Sequence, residues 1–393
     1  MSGRVDSVDR ASGDEKKGAF SELFDIFVKH PELTENPGTG CYSRGKVERV
    51  ALNPFTRLVF SLIFLALLVF TPACGAEQDP LFGDLPSLLV NVDRVTEQDF
   101  SNLIRAIQNR ISSEASISGL SPGGFSYEIG PLGLPAKTSS SLGTIWTAGA
   151  EPIGKGRLSL GISYTYLDFD SFDGQSLDKF LDVETTSPPV DIDLRLRTQI
   201  LGFSALYGIT GDWGLGVFVP VVFHESDGEV DLLYPSGTQN IGKADGSTEG
   251  LGDIMLLSKY RLAQGSDWTW SLAGQLKFPT GDEDKYLGTG ETDFWIKTLL
   301  TKRFGALETN FDLGYTFNGF GKDYNSLNYR AAVAYGLSNS VTLVGELIGS
   351  ESDETVFDTL DAGLGVKINP AGGWVLQAGV RFPLDDDGLR ADV

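Results

Sequence analysis

The chain has 393 residues, of which 41% are hydrophobic and 11% aromatic, and it contains 48 glycines. Its net charge of −22 argues against nucleic acid as a partner, because a phosphate backbone repels an acidic surface. Both cysteines, Cys41 and Cys74, lie within residues 1–76, so the rest of the chain has neither a disulfide framework nor thiolate metal ligands.

A hydrophobic run, LVFSLIFLALLVF (Leu58–Phe70), follows several basic residues and precedes TPACGAEQ. A membrane-spanning helix needs about 20 apolar residues, whereas the core of a signal peptide needs about 7–15. The run therefore predicts a signal peptide within an N-terminal extension over 1–76, followed by an exported chain. An uncleaved membrane anchor is the alternative.

The next segment, TEQDFSNLIRAIQNRISSEA, places Phe100, Ile107 and Ile111 on one stripe of a helix. The spacing predicts a short amphipathic helix near 96–114. We expect it to belong to a periplasmic or plug-like segment over 77–140, because the residues that follow it are rich in Gly, Ser and Pro.

From residue 155 onward the hydrophobic period becomes two. In ETNFDLGYTF, for example, Phe311, Leu313 and Tyr315 alternate with Asn310 and Asp312. Strands of about ten residues with one apolar and one charged face are typical of barrels that cross the outer membrane. Such segments are predicted near 156–169, 190–209, 213–225, 252–262, 268–278, 292–304, 307–317, 327–336, 341–350, 356–368 and 374–382.

The connectors between these segments alternate in length. Short ones, such as TGD and QGSD, are expected in the periplasm, and long acidic ones, such as 226–251 and 279–291, outside the cell. The sequence thus predicts an all-β fold, an antiparallel transmembrane β-barrel over 141–393 in the outer membrane. A soluble β-protein is the alternative.

Both ends of such a barrel should lie in the periplasm, which requires an even number of strands. Eleven strands would leave Phe382 outside the cell, and the following LRADV (Leu389–Val393) has the pattern of the beginning of a returning strand. We therefore expect about 12 strands, the last of them truncated in this sequence.

The stretch FPTGDEDKYLGTGETDFWI (Phe278–Ile296) contains the glycines and acids of a ligand-binding loop. It lacks the GK[ST] of a phosphate-binding loop, precedes a strand rather than a helix, and does not have EF-hand spacing. We interpret it as an extracellular loop and predict no metal site and no cofactor. Nonspecific calcium binding by its acidic run, Asp282 to Asp284, is the alternative.

His224 and Ser226 lie on one strand face and resemble the His and Ser of outer-membrane phospholipase. The alternation of this strand places His224 on the lumen side, and a third partner is not assigned. We predict that the protein is not an enzyme, with a phospholipase-like barrel as the alternative.

Charged residues on the inner faces of the predicted strands are candidate pore-lining or substrate-binding residues. They are Asp191, Asp193, Arg195, Arg197, Lys259, Lys277, Glu308, Asp312, Arg330, Asp361 and Arg381. Both signs are present, so no simple preference for anions or cations follows. The alternative is that these charges pair with one another and fill a narrow interior.

The stretches LKFPTGDEDKYLGTGETDFWIKTLLTKRF, NFDLGYTFNG and YGLSNSVTLVGEL resemble a family of bacterial outer-membrane proteins that are labelled transporters of the meta-pathway of phenol degradation. The resemblance covers about 140–393, and P-T-G-D…G-T-G-x-x-D is its most specific element. It implies a barrel that passes small, aromatic or hydrophobic solutes across the outer membrane, with lipid and the barrel-assembly machinery as partners. A structural barrel with an occluded lumen is the alternative.

Overall fold

The computed structural model describes residues 105–114, 127–129, 135–137, 141–172, 174–177, 190–352, 358–370, 374–386 and 388–392. Residues 105–114 form a helix, α1, and no helix of the described ranges is long and apolar enough to cross a membrane. The signal peptide predicted within 1–76 lies outside these ranges, as does the first part of the helix predicted near 96–114.

Sixteen strands lie in the described ranges. They are β1 (Tyr127–Ile129), β2 (Pro135–Lys137), β3 (Leu158–Phe172), β4 (Gln175–Ser176), β5 (Val190–Gly208), β6 (Trp213–Tyr234), β7 (Gly237–Leu251), β8 (Ile254–Gln264), β9 (Trp268–Phe278), β10 (Asp293–Phe304), β11 (Leu307–Phe317), β12 (Ser326–Gly336), β13 (Val341–Ser352), β14 (Thr359–Ile368), β15 (Leu376–Pro383) and β16 (Leu389–Asp392). The eleven strands predicted from alternation correspond to β3, β5, β6 and β8 to β15.

One antiparallel sheet contains all strands except the β1–β2 hairpin. Its order is β15-β14-β13-β12-β11-β10-β9-β8-β6-β5-β3-β16, with β4 on the edge of β3 and β7 paired with β6. The strands at the two ends of this order, β15 and β16, are consecutive along the chain. The described residues show no ladder between β15 and β16 that would close the ring.

The predicted antiparallel β fold is confirmed, and the strand count is higher than the expected 12. Residues 226–251, expected to be a long loop, instead form the outer half of β6 and all of β7. The returning strand expected from LRADV is β16, which pairs with the top of β3 through Leu389 and Phe172.

The two faces of the sheet have opposite polarity. On β9, Thr269, Ser271 and Lys277 are buried, whereas Trp270 is 45% exposed. On β11 the charged Asp312 is buried and Leu313 is 51% exposed. Polar groups inside and apolar groups outside are stable only where the outer surface meets lipid, so the sheet forms the wall of an outer-membrane barrel.

The β5–β6 hairpin is much longer than a membrane crossing. A barrel strand needs about 9–11 residues to span the bilayer. β5 has 19 residues and β6 has 22, and β7 extends the sheet beside the second half of β6. This part of the sheet therefore projects beyond the membrane on the side of the long loops.

Candidate functional site: the lumen of the barrel

The interior of the barrel contains charged side chains of both signs in equal number. In the described ranges, seven cationic and seven anionic side chains are buried: Arg110, Lys259, Lys277, Lys297, Arg330, Lys367 and Arg381, with Glu114, Asp253, Asp293, Glu308, Asp312, Glu346 and Asp361. Buried charges are costly unless they are paired or hydrogen-bonded. The partners of these groups therefore show which segments of the chain are bound inside the barrel.

An inner segment, residues 141–151, occupies part of the lumen before the chain enters β3; we call it the strap. Seven successive strands, β8 to β14, each supply at least one side chain that hydrogen-bonds to the strap backbone. These side chains are Lys259, Ser271, Thr301, Asp312, Arg330, Thr342 with Glu346, and Lys367. The polar wall thus satisfies the backbone groups of a segment that has no regular structure of its own.

The carboxylate of Glu346 is the main acceptor for the strap. It accepts hydrogen bonds from three consecutive backbone N–H groups, at 2.6 Å from Ile145 N, 3.0 Å from Trp146 N and 2.5 Å from Thr147 N. Consecutive N–H groups that converge on one anion form a nest, and hydrogen bonds to an ionised acceptor are stronger than neutral ones. Glu346 therefore fixes the middle of the strap.

Donors on the wall bind the carbonyl groups of the strap. Lys367 Nζ lies 2.6 Å from Thr144 O, and Lys259 Nζ lies 2.6 Å from Gly149 O. The wall also makes room for the strap side chains, because a Cβ atom on Gly363 would lie 2.6 Å from the ring of Trp146. A glycine on β14 thus allows the indole to approach the wall closely.

Helix α1 occupies another part of the interior. Its Ile107 and Ile111 belong to a buried apolar cluster with residues of β3, β5 and β6, among them Leu167 and Leu194. On its polar side, Arg110 Nη2 lies 2.7 Å from Asp361 Oδ2. Glu114, one turn further along the helix, pairs with Arg381 of β15. The helix is therefore packed on one side of the barrel and ion-paired to the other.

The β9–β10 loop, residues 279–292, folds back over the lumen and is held by a buried charge cluster. Lys277 Nζ lies 2.5 Å from Asp293 Oδ2 and 3.6 Å from Asp253 Oδ2. Asp253 also accepts hydrogen bonds at 3.0 Å from the backbone N–H groups of Gly281 and Thr289. One lysine and two carboxylates therefore bind both ends of the loop to the wall.

His224 binds the same loop. Its Nε2 lies 2.9 Å from Tyr286 O, and its Nδ1 lies 2.7 Å from Thr198 Oγ1. Among the described residues, Ser226 Oγ has no hydrogen-bond partner, and no group of His, Cys, Asp and Glu could hold a metal ion. Both ring nitrogens are therefore engaged, Nε2 with the loop and Nδ1 with Thr198 of β5.

Residues 177–388, more than half of the chain, match the family described as "Putative MetA-pathway of phenol degradation". The chain belongs to this family. No curated protein sequence matches it. Similar solved structures include an outer membrane channel from Pseudomonas putida F1, at 16% identity and a TM-score of 0.40, with 62% of this chain and 93% of that chain covered. A toluene transporter from Ralstonia pickettii is similar at 14% identity and a TM-score of 0.37, with 58% and 74% covered.

The sequence element that carried the family resemblance now has a structural explanation. Its Thr289 and Asp293 belong to the cluster around Lys277, and Lys277 Nζ donates to Thr289 Oγ1 at 2.5 Å. A Cβ atom on Gly281 would lie 2.7 Å from Leu287 O, and Gly290 has a φ of +69°, so both positions require glycine. In this member of the family, P-T-G-D…G-T-G-x-x-D is a loop-fastening motif.

Seven of the eleven predicted pore-lining residues are buried on the inner face of the wall. They are Lys259, Lys277, Glu308, Asp312, Arg330, Asp361 and Arg381. Six of them make hydrogen bonds or ion pairs with the strap, with α1, with the β9–β10 loop or with one another. Glu308 pairs with Arg303 of β10, which pairs in turn with Glu151 of the strap. In this structure they hold inserted segments in place.

The other four, Asp191, Asp193, Arg195 and Arg197, lie on the opposite face of β5, away from the lumen. The buried residues between them are Leu194 and Leu196, which pack in the apolar cluster with α1. Arg197 instead pairs across the outer surface with Glu225 at 3.8 Å and Asp227 at 3.5 Å. The prediction that these four residues face the lumen is therefore wrong.

The reason is that the outer half of β5 stands above the membrane, where water covers the outward face. Apolar residues occupy even positions from Leu194 to Ile200 and odd positions from Leu201 to Phe203. This change of phase marks the membrane boundary. It is the feature of the sequence that indicates the outward orientation of the four charged residues. The missed lumen residues, such as Lys297 and Glu346, are single charges within otherwise apolar or small stretches of a strand.

Proposed function

We propose that this barrel passes small solutes, aromatic ones among them, across the outer membrane, and that the strap is the movable part of the pathway. The observation that carries the proposal is the attachment of the strap to seven consecutive strands through side-chain hydrogen bonds to its backbone. The family description, which names phenol degradation, supports an aromatic solute.

The chemistry of these contacts suits a segment that can be displaced. A hydrogen bond within a protein contributes about 0.5–1.5 kcal/mol net between neutral groups and about 1.5–3 kcal/mol to a charged group, because water replaces it when it breaks. The strap also brings the indole of Trp146 and the side chain of Ile145 into the polar lumen. A small aromatic molecule can share that apolar surface, whereas a hydrated sugar must displace the strap entirely.

The proposal predicts that Glu346→Ala frees the strap, because the variant removes the acceptor of three backbone N–H groups. Intact cells of a Gram-negative host that express the wild-type chain are expected to take up labelled phenol faster than cells with an empty vector. Proteoliposomes with the wild-type chain should not swell in arabinose, and those with Glu346→Ala should.

Glu351→Ala is the matched control, because this glutamate lies at the outer end of the same strand and is exposed. It should leave both assays at the wild-type level. Phenol uptake no faster than that of empty-vector cells, with the protein correctly folded in the outer membrane, would contradict transport and favour a structural barrel with an occluded lumen.

We further infer that the barrel acts without catalysis. The support is the use of both His224 ring nitrogens to hold Thr198 and the β9–β10 loop. Phospholipase activity in the purified protein that is lost in His224→Ala would contradict this inference.

A further inference from the structure

The buried lysines of the lumen differ in one respect. Within the described ranges, Lys259, Lys277 and Lys367 each donate a hydrogen bond to an acceptor, at distances from 2.5 to 2.6 Å. Lys297, which is 2% exposed, has no hydrogen-bond partner there. A buried ammonium group without an acceptor is unfavourable, so its presence requires an explanation.

The side chain of Lys297 crosses β11 towards β12. A Cβ atom on Gly314, the residue paired with Lys297, would lie 2.5 Å from Lys297 Cγ, so the aliphatic chain passes over the glycine. The charged groups next to it are Asp312, two residues from Gly314 on the same face of β11, and Arg330 of β12. They face each other as a cross-strand pair on β11 and β12.

Asp312 and Arg330 are themselves incompletely bonded. Arg330 Nη1 lies 3.5 Å from Asp312 Oδ2 and 3.5 Å from Trp146 O, and Ala148 N lies 3.5 Å from the same Asp312 oxygen. Arg330 Nε and Asp312 Oδ1 have no partner among the described residues. The strap is thus held by long contacts at this point, and by contacts of 2.5–3.0 Å at Glu346.

We infer that Lys297 and Arg330 form a binding site for the carboxylate group of a solute in the lumen. The inference rests on the proposed function and adds a chemical class to it. Two basic groups face one carboxylate, so the cluster can accommodate a second negative charge. An incoming carboxylate would accept hydrogen bonds from Lys297 Nζ and Arg330 Nε, two donors that lack acceptors, and would neutralise the cluster.

The test is equilibrium dialysis of labelled benzoate against the full chain in detergent, with labelled benzamide as the neutral analogue. Wild-type protein should bind benzoate more tightly than benzamide. Lys297→Met should weaken benzoate binding about tenfold or more, the loss expected for one charge-assisted hydrogen bond, without changing benzamide binding. Lys297→Arg should restore most of it.

Lys243→Met, at an exposed lysine of β7, is the control for a general loss of positive charge. Lys297→Met removes a group that bonds to nothing in the described chain, so it should fold like wild type, as its heat-modifiable mobility in gels will show. Equal binding of benzoate and benzamide, or benzoate binding unchanged in Lys297→Met, overturns the inference.

This experiment is separate from the transport assay. Failure of phenol uptake would reject the proposed function, whereas dialysis measures binding and does not require passage. If Lys297→Met fails to fold, Lys297→Gln provides the same comparison, and loss of folding in both variants would show that the ammonium group is structural and overturn the site.

Discussion

The two sides of the lumen hold their inserted segments by different forces. On the side of β3, β5 and β6, apolar residues such as Leu167, Leu194 and Val222 pack against Ile107 and Ile111 of α1. On the side of β8 to β14, charged and hydroxyl side chains bind the backbone of the strap. One barrel thus contains an apolar contact and a polar contact side by side.

The difference bears on which segment can move. Removing α1 from its apolar cluster would expose buried hydrocarbon to water, at about 25 cal/mol for each Å². Displacing the strap exchanges hydrogen bonds with the wall for hydrogen bonds with water, at about 0.5–1.5 kcal/mol for a bond between neutral groups and about 1.5–3 kcal/mol where the wall group is charged. We therefore expect α1 to stay in place while the strap moves.

The largest predicted effect concerns the charge cluster at the outer end of the polar side. Lys277→Met leaves Asp253 and Asp293 buried without their cation. Breaking a buried ion pair by removing one partner costs about 3–5 kcal/mol. We expect the free energy of unfolding, measured with urea in detergent, to fall by a corresponding amount. The β9–β10 loop should also become sensitive to protease.

Lys243→Met is the matched variant, because Lys243 lies 3.0 Å from Glu229 in an exposed pair on the β6–β7 hairpin. Exposed pairs contribute about 0–1 kcal/mol, so little change is expected. Equal effects of the two substitutions would show that the Lys277 cluster does not fasten the loop.

The second prediction concerns the apolar side. Ile107 is 2% exposed, and Ile107→Ala should destabilise the fold by about 2–5 kcal/mol, the range for removing a large aliphatic side chain from a packed site. Arabinose should still fail to swell proteoliposomes of this variant, because the strap is unchanged. Urea unfolding in detergent measures the loss of stability in Ile107→Ala.

Leu337→Ala, in the exposed turn between β12 and β13, is the control and should change stability by less than about 0.5 kcal/mol. Swelling of Ile107→Ala liposomes in arabinose would contradict the division of roles between α1 and the strap.

Alternation was enough to predict the wall of the barrel. The membrane part of each strand has lipid on one face and the lumen on the other, so β9 and β11 show their period in the sequence. The same rule placed Asp191 and Arg195 incorrectly, because beyond the bilayer the outward face meets water and the polarity of the two faces reverses. Local periodicity reports the surroundings of a face, and those change along a long strand.

The contents of the lumen could be predicted only in part. The stripe that includes Ile107 and Ile111 indicated a helix and a possible plug, since helical spacing is a local property. The strap has no period, and its binding to Glu346 joins residues 199–201 positions apart in the chain. Such a contact depends on how the chain folds over long sequence distances, which short-range patterns do not contain.

The smallest predicted effect lies at the outer end of α1, where it meets the loop between β11 and β12. Arg105 Nη1 donates to Tyr324 Oη at 2.7 Å, and its guanidinium carbon lies 5.6 Å from the ring centres of both Phe320 and Tyr324. Two cation–π contacts at an accessible site contribute together about 1–2 kcal/mol, and the side-chain amide of a glutamine still offers a donor to Tyr324. Arg105→Gln should therefore lower the unfolding free energy by about 1–2 kcal/mol, and Arg105→Lys by less, because the lysine keeps the charge. Hydrogen exchange of residues 318–325 should rise in Arg105→Gln. Exchange in the β9–β10 loop, residues 279–292, should stay unchanged, because Gln108 and the Lys277 cluster hold that loop without Arg105. A rise in both loops would mean that α1 fastens the whole outer end of the lumen as one unit, and the contrast between its apolar and polar contacts would then apply only to the strap.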